Sequence, residues 1–451
     1  MSSIKMLRHR VFQKETTPAF FLLLNTFVWY LLIYFTLSSI ITKSQFDNQS
    51  LDLFAVYFLA MVVAAIAGSK FPVRARDNLL NVWLLLGTLA TFLLALISSS
   101  NPIVNGLVLT FLGVSIGLGL PSCLSYFAKI AAIEKRGLIG GAIWSAVGVS
   151  VLILGLLISV LGTLSVIVIL GVWRLTGSLS FLFLNRKHEK VEEQKTSSNL
   201  SVSYLKIIRK KEILLFLIPW IMFTVINFAE KPMLQNFFGV NQYSVVEFAE
   251  FVFIGIFAFI GGLLADIGGR KRVIIAGFVM LGFEYAALSV FSNHTDAVFM
   301  SYVFMTLDGI TWGLLFSVFF TVVWGDLGEG YEKEKFYILG GVPLLLTNLL
   351  SVLITPYAAT IPLGTAFTVA SFFLFVAVIP LMYAPETLPE KALKDRDLKS
   401  YAEKALKQAT KQSNKKGEKA KDTGEEKKQN EEETEQPPEY DEARKLAEKY
   451  Y

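Results

Sequence analysis

The chain has 451 residues, 53% of them hydrophobic and 18% charged, with a mean hydropathy of +0.53 and a formal net charge of +5. A soluble domain of this size needs far more polar surface, so the composition excludes one and points to a polytopic helical membrane protein. The single cysteine, Cys123, excludes an intrachain disulfide and a cysteine metal cluster. The cations sit in connecting segments, so the net charge is no argument for a nucleic-acid partner.

Residues 1–16 form a short basic arm with Lys5, Arg8, Arg10 and Lys14. The apolar run that follows is too long for a signal-peptide core and lacks a small-x-small cleavage site. Runs of about 20 apolar residues then recur, each able to span ~30 Å of hydrocarbon. They predict helix 1 over 17–41, helix 2 over 51–67, helix 3 over 78–98, helix 4 over 104–128, helix 5 over 138–160 and helix 6 over 163–184. A polar stretch, 185–212, separates them from helix 7 over 213–236, helix 8 over 245–265, helix 9 over 273–292, helix 10 over 297–323, helix 11 over 337–358 and helix 12 over 364–384. The expected domains are therefore a six-helix bundle over 1–184, a linker over 185–212, a second bundle over 213–386 and a tail over 387–451. The tail carries cations and acids in nearly equal number and almost no large aliphatic residue, so it cannot bury a core and is expected to be disordered. Lys404, Lys407, Lys411, Lys415 and Lys416 make its first part basic, and acids dominate 425–442. A solvated tail is the plain expectation. Contact of its basic part with anionic lipid, or of the tail with a cytoplasmic protein, is the sharper one.

Charge placement orients the chain. With a cytoplasmic N-terminus, the inner segments before the tail hold 4, 3, 3, 8, 3 and 2 Lys/Arg, and the outer segments hold only Lys43. Both termini are then cytoplasmic in a multi-pass protein of the cell membrane. Two sequons, at Asn48 and Asn293, fall in outer loops, where glycosylation would need them, although such triplets often arise by chance.

The two halves repeat. Glu134 ahead of Gly140-Gly141 matches Glu334 ahead of Gly340-Gly341 at a shift of 200 residues, and Arg74-Ala-Arg76 matches Arg270-Lys271-Arg272 at 196. A near-constant shift implies a duplicated six-helix unit. Between helices 8 and 9 lies Gly262-Leu-Leu-Ala-Asp266-Ile-Gly-Gly269-Arg270-Lys271-Arg272. A carboxylate, glycines and three cations between two apolar runs make a tight loop at a membrane surface. It resembles the loop signature of the major facilitator superfamily at Gly262, Asp266, Gly269, Arg270, Lys271 and Arg272, and departs from it at Ile267. Glu134, Arg136 and Gly137 resemble that family's loop between helices 4 and 5. The resemblance covers about residues 1–386.

The resemblance implies an all-α membrane protein with twelve transmembrane helices in two pseudo-symmetric bundles. It implies that helices 1, 4, 7 and 10 line a central cavity. It also implies that Asp266 faces the positive N-terminus of helix 5, near Gly137–Gly141, and latches the cytoplasmic side shut. In the first half Lys70 takes the aspartate's place, which predicts one strong latch rather than two. Helix 5 contains no proline and so lacks the Gly-Pro pattern of the family's exchangers, which argues against a drug/proton antiporter.

No zinc-protease, P-loop or nucleophile-elbow signature occurs, so neither an enzyme nor ATP-driven transport is expected, and no cofactor or metal. His9, His188 and His294 all fall outside the predicted spans. Ionisable residues at membrane depth are the informative ones, because burying charge in hydrocarbon is costly. Asp308 lies ~16 Å into helix 10, with Trp312 one turn on. It is expected to bind a cationic solute or carry a proton; the plainer reading is a structural carboxylate. Glu284 and Arg174 lie equally deep in helices that are peripheral in the family fold. A structural role is expected for both, with Glu284 an alternative proton partner of Asp308. Asn25 and Trp29 on helix 1, and Trp220, Thr224 and Asn227 on helix 7, suit an amphipathic organic substrate or simply hold helices together. Glu230-Lys231-Pro232 reads as an outer gate or as a hydrated helix end. The expected function is transport of a small organic solute across the bilayer by alternating access, with protons as a possible coupling partner. The alternative is a sensor or scaffold of the same fold that signals through the tail.

Overall fold

The computed structural model describes residues 15–43, 50–70, 76–97, 101–185, 203–292, 297–329, 332–358 and 360–389. The arm as far as Lys14, the sequon asparagines Asn48 and Asn293, the three histidines, most of the linker and the tail from Glu390 lie outside the described residues. Among those described, twelve helices are long and apolar enough to cross a membrane. In chain order they are α1 (Thr17–Lys43), α2 (Ser50–Gly68), α3 (Arg76–Leu93), α4 (Pro102–Gly117 and Leu120–Ile130), α5 (Arg136–Ser159) and α6 (Thr163–Asn185). The second set is α7 (Lys211–Phe238), α8 (Val240–Gly268), α9 (Arg270–Phe291), α10 (Ala297–Leu314, continued by Leu315–Val323 and Trp324–Leu327), α11 (Lys333–Ile354) and α12 (Leu363–Tyr383).

The first six helices pack as one bundle, α1 and α3 on α6 and α2 on α4. The last six form the other, α8 on α10, α9 on α12, and α7 on α11 and α12. Both bundles belong to one compact unit that ends at Thr387. The halves meet along two seams, α5 against α8 and α2 against α11. Those pairs exchange under the internal repeat, as a pseudo-twofold relation requires. The first seam closes because small residues line it: a side chain at Gly141 would strike the Ala258 carbonyl, and one at Gly148 the Phe251 carbonyl. Large apolar side chains such as Val63, Ile153, Leu156, Phe183, Phe283 and Phe372 are exposed on the outside, while Arg174, Glu284 and Asp308 are buried. That inversion of the soluble pattern is a lipid-facing surface.

Three local features position the site. First, α4 breaks at Leu118–Gly119, and Pro121, which has no N–H to donate, opens its second segment. Second, α7 and α8 are joined by Gly239 alone, at φ 81°. The polar stretch around Asn241–Ser244, expected to be a loop, is instead the first turn of α8. A glycine at positive φ reverses the chain in one residue, so the helix resumes at once, and Gln242 donates to the Ser301 hydroxyl of α10 at 3.0 Å. Third, Leu315–Val323 of α10 is a π-helix. Its wider turn shows in the Thr321 hydroxyl, which donates to the Phe316 carbonyl five residues back at 2.7 Å. π-turns inside helices concentrate at functional sites.

Candidate functional site

A cavity of about 140 Å³ lies between the halves. α1 contributes Tyr30, Leu31 and Tyr34, α7 contributes Asn227 and Lys231, and α11 contributes Asn348. α8 contributes Tyr243, Glu247 and Glu250, and α10 presents Phe304, Asp308, Trp312, Phe316 and Phe320 at every fourth position. Phe27 and Trp144 face this last row. Trp144 stacks on Phe316 at 4.3 Å with the rings 4° apart, and on Phe27 at 4.6 Å. The Trp144 indole donates to the Thr321 hydroxyl at 2.7 Å, so the π-turn and α5 together close one end of the cavity with aromatic rings.

Four ionisable side chains with strong charge line this space. The Lys231 ammonium meets the Glu247 carboxylate at 2.5 Å and lies 5.5 Å from the Tyr34 ring centroid and 5.9 Å from that of Tyr243. Glu250 and Asp308 stand on the same wall, and the Glu250 side chain packs against Gly309, next to Asp308. Two neighbouring carboxyl groups between apolar walls repel one another as a pair of anions, so one of them keeps a proton. One Asp308 oxygen has no partner among the described residues. Behind this wall Glu284 of α9 is buried, and neither of its oxygens nor the neighbouring Tyr285 hydroxyl has a hydrogen-bond partner among the described residues.

Of the residues singled out from the sequence, the cavity brings together Asp308, Trp312, Asn227 and Lys231. Asn25, Trp29 and Arg174 are not in it, which corrects the expected cavity lining for the first two. They form a separate knot inside the first bundle. The Arg174 guanidinium lies between the Trp29 and Trp83 rings, at 4.3 and 4.4 Å, and donates to Asn25 Oδ1 at 3.2 Å and to Thr26 at 3.1 Å. The Trp29 indole donates to Thr91 at 2.8 Å and the Asn25 amide to the Trp173 carbonyl at 2.6 Å. A buried guanidinium outcompetes an open cavity for these partners because it needs them more. Glu284 lies beside the Asp308 group without reaching the cavity surface. Trp220 packs on α11, its indole donating to the Gly340 carbonyl at 2.6 Å.

Glu247 and Glu250 are the lining residues that the sequence reading missed. Their signal was present: two acids three apart in an apolar run are as informative as Asp308. They were passed over although the expected helix 8, 245–265, contains both.

At the end of the molecule that carries the glycine-rich motif, Asp266 caps α5. Its carboxylate accepts from the backbone N–H of Gly137 at 3.0 Å and of Leu138 at 2.7 Å. Gly262 lies directly against the Gly137 carbonyl, so the approach requires both glycines. Asp326, at the end of α10, joins the halves a second time: it meets Arg136 of α5 at 2.7 Å and Arg270 of α9 at 2.9 Å, and Arg270 also lies 3.3 Å from Asp266. Arg136 and Lys333 share Glu329, at 3.1 and 2.8 Å. Gly269, at φ 98°, turns the chain into α9, whose first N–H groups at Arg270 and Lys271 donate to Glu386 at 2.8 and 3.2 Å. The Lys271 ammonium donates to the Met382 and Ala384 carbonyls, and Arg272 is exposed. Asp326 was also missed. Arg136 and Arg270, two cations at helix starts without an evident counter-charge in the sequence, were its signal.

The profile of the family described as Major Facilitator Superfamily matches residues 19–323. Among solved structures, the crystal structure of the human organic anion transporter MFSD10 (TETRAN) aligns with a TM-score of 0.61 at 13% identity, covering 83% of this chain and 99% of that one. At that identity the likeness is one of fold. No curated protein matches the chain.

Proposed function

This chain belongs to the Major Facilitator Superfamily, and we propose that it moves a small organic solute across the bilayer by alternating access of its two halves. It is a multi-pass membrane transporter rather than an enzyme, with a small-molecule substrate and lipid around it. The observation that carries the finer reading is the cavity between the halves, where Lys231, Glu247, Glu250 and Asp308 meet aromatic walls and one end is closed by rings and by the Asp266 cap.

The cation-rich segments put the capped end in the cytoplasm, together with both termini. The arrangement is then the outward-facing member of the cycle. Rocking to the inward-facing state separates Asp266 from the first turn of α5, splits Asp326 from Arg136, and unstacks Trp144 from Phe316. Each of these contacts joins opposite halves, so each must break together for the cytoplasmic side to open. Asp308 and Glu250 supply the coupling: the proton between them is held inside the cavity and is exposed to one side of the membrane at a time. Asn227 and Trp312 contact the solute, and Glu284, buried behind the Asp308 group, is a second carboxyl that can take up its proton.

A thermal-shift screen of the purified protein against a metabolite and drug panel, at two pH values, tests this. A ligand of the native state raises the apparent unfolding temperature by mass action. Hits are then followed as uptake into proteoliposomes under a pH gradient. The expected outcome is uptake that responds to the gradient in the wild type and loses that response in Asp308→Asn. Uptake equally gradient-driven in Asp308→Asn removes the proton role of that residue.

A further inference from the structure

We propose that Glu247 sets the sign of charge that the cavity accepts, making it a receptor for a small organic monocation with an apolar body. The argument is a charge count over the side chains that line the space. Lys231 and Glu247, 2.5 Å apart, cancel one another. Glu250 and Asp308 stand side by side on the lining, the Glu250 side chain packing against Gly309 next to Asp308, and two neighbouring carboxyl groups between apolar walls keep one proton between them, which leaves a single negative charge on the pair. Lys231 is the only Lys or Arg on the lining among the described residues, and Asn227 and Asn348 are neutral. The cavity therefore carries one uncompensated negative charge. A monovalent cation brings the sum to zero, and an anion doubles the imbalance.

Between aromatic and aliphatic walls an uncompensated charge is poorly solvated, so the sum decides which solute can enter. The walls fit the same ligand class: the aromatic side chains of Tyr30, Tyr34, Phe304 and Trp312 border the space, and aromatic rings attract cations. Glu247 is the residue on which the sign turns. Without it the Lys231 ammonium is released, the lining sums to zero, and the advantage of a cation disappears. This deepens the transporter reading and rests on it for transport, though not for binding.

Three probes on one phenyl scaffold test the proposal by calorimetric titration of the full chain in detergent near neutral pH: phenyltrimethylammonium, whose charge cannot titrate, benzyl alcohol and phenylacetate. The expected order is cation, alcohol, anion, with the cation at least about tenfold tighter than the alcohol. Glu247→Gln should weaken the cation by at least about tenfold and strengthen phenylacetate. The double variant Lys231→Met/Glu247→Gln, whose lining again sums to minus one, should recover the cation preference. A merely structural role for Glu247 would weaken all three probes alike and would not be rescued by removing the lysine. That pattern, equal affinities, an anion preference, or no binding of any probe overturns the proposal. Uptake of labelled phenyltrimethylammonium into proteoliposomes separates the two readings. Selective binding without uptake overturns transport and leaves the role of Glu247 supported. Uptake without charge preference overturns the role of Glu247 alone.

Discussion

Arg174 illustrates how a single side chain can be read from the sequence as buried and structural while its partners stay unnamed. Depth along α6 is visible in the sequence, but the partners come from α1 and α3. Its planar guanidinium fills the gap between Trp29 and Trp83, and a lysine ammonium cannot lie flat against two rings. Arg174→Lys is therefore expected to cost about 2 kcal/mol, read as a lower unfolding temperature in detergent, with ligand binding at the cavity retained. Loss of binding with unchanged stability would instead return Arg174 to the solute path. At the capped end, partial burial pushes the Glu329 carboxyl up, but hydrogen bonds and attraction from Lys333 and Arg136 outweigh it and hold the group below its ordinary value. A depressed carboxyl stabilises above its unfolded pKa, and that contribution is lost as pH falls through the folded value. Acid should loosen this end, and Glu329→Gln should remove part of the acid sensitivity, measured as labelling of a buried cysteine placed at Leu138.

At the scale of the element, two devices hold the halves together. Asp266 satisfies two N–H groups at the start of α5, where a helix has unpaired donors and a positive end. Removing such a cap costs about 0.5–2 kcal/mol, which is roughly a five- to thirtyfold shift at the upper end of that range. Asp266→Ala in a Cys123→Ser background should speed maleimide labelling of Leu138→Cys by about that factor, and an unchanged rate would refute the latch. The π-turn of α10 is the second device. Its freed backbone and the Trp144 indole both depend on the Thr321 hydroxyl, and Tyr337 donates to the Thr321 carbonyl at 2.7 Å. Thr321→Val keeps the volume and deletes the hydroxyl, leaving Trp144 unpaired. It should cost about 1–3 kcal/mol, visible in tryptophan-fluorescence melting; an unchanged melt would mean that the π-turn does not depend on this bond.

At the scale of the molecule the two halves are related by duplication but are not equivalent. The α5–α8 seam carries an aspartate cap, whereas at the corresponding place in the first half stands Lys70, exposed and a donor only. The acids of the cavity, Glu247, Glu250 and Asp308, come from the second half, and the first half supplies aromatic and aliphatic wall. The cavity and the Asp266 cap both lie in the unit ending at Thr387. Truncation after Pro389 is accordingly expected to leave solute uptake in proteoliposomes intact. Abolished uptake of a well-folded truncated protein would favour a tail-dependent sensor instead.

The twelve spans, the duplication and the Asp266 motif were legible in the sequence because each rests on a short-range pattern: an apolar run of membrane length, a fixed shift, or a glycine and a carboxylate one helical turn apart. The depth of Asp308 was legible for the same reason. The grouping of Lys231 with Glu247, of Glu250 with Asp308, and of Asp326 with Arg136 and Arg270 was not, because these pairs join different helices and each depends on helix rotation and register. The one-residue turn at Gly239 and the wider turns of α10 altered that register locally, through a positive φ and an i→i+5 bond that no apolar periodicity encodes. Hydrophobicity along the chain decided which segments enter the membrane, and tertiary packing alone decided which buried charges face one another.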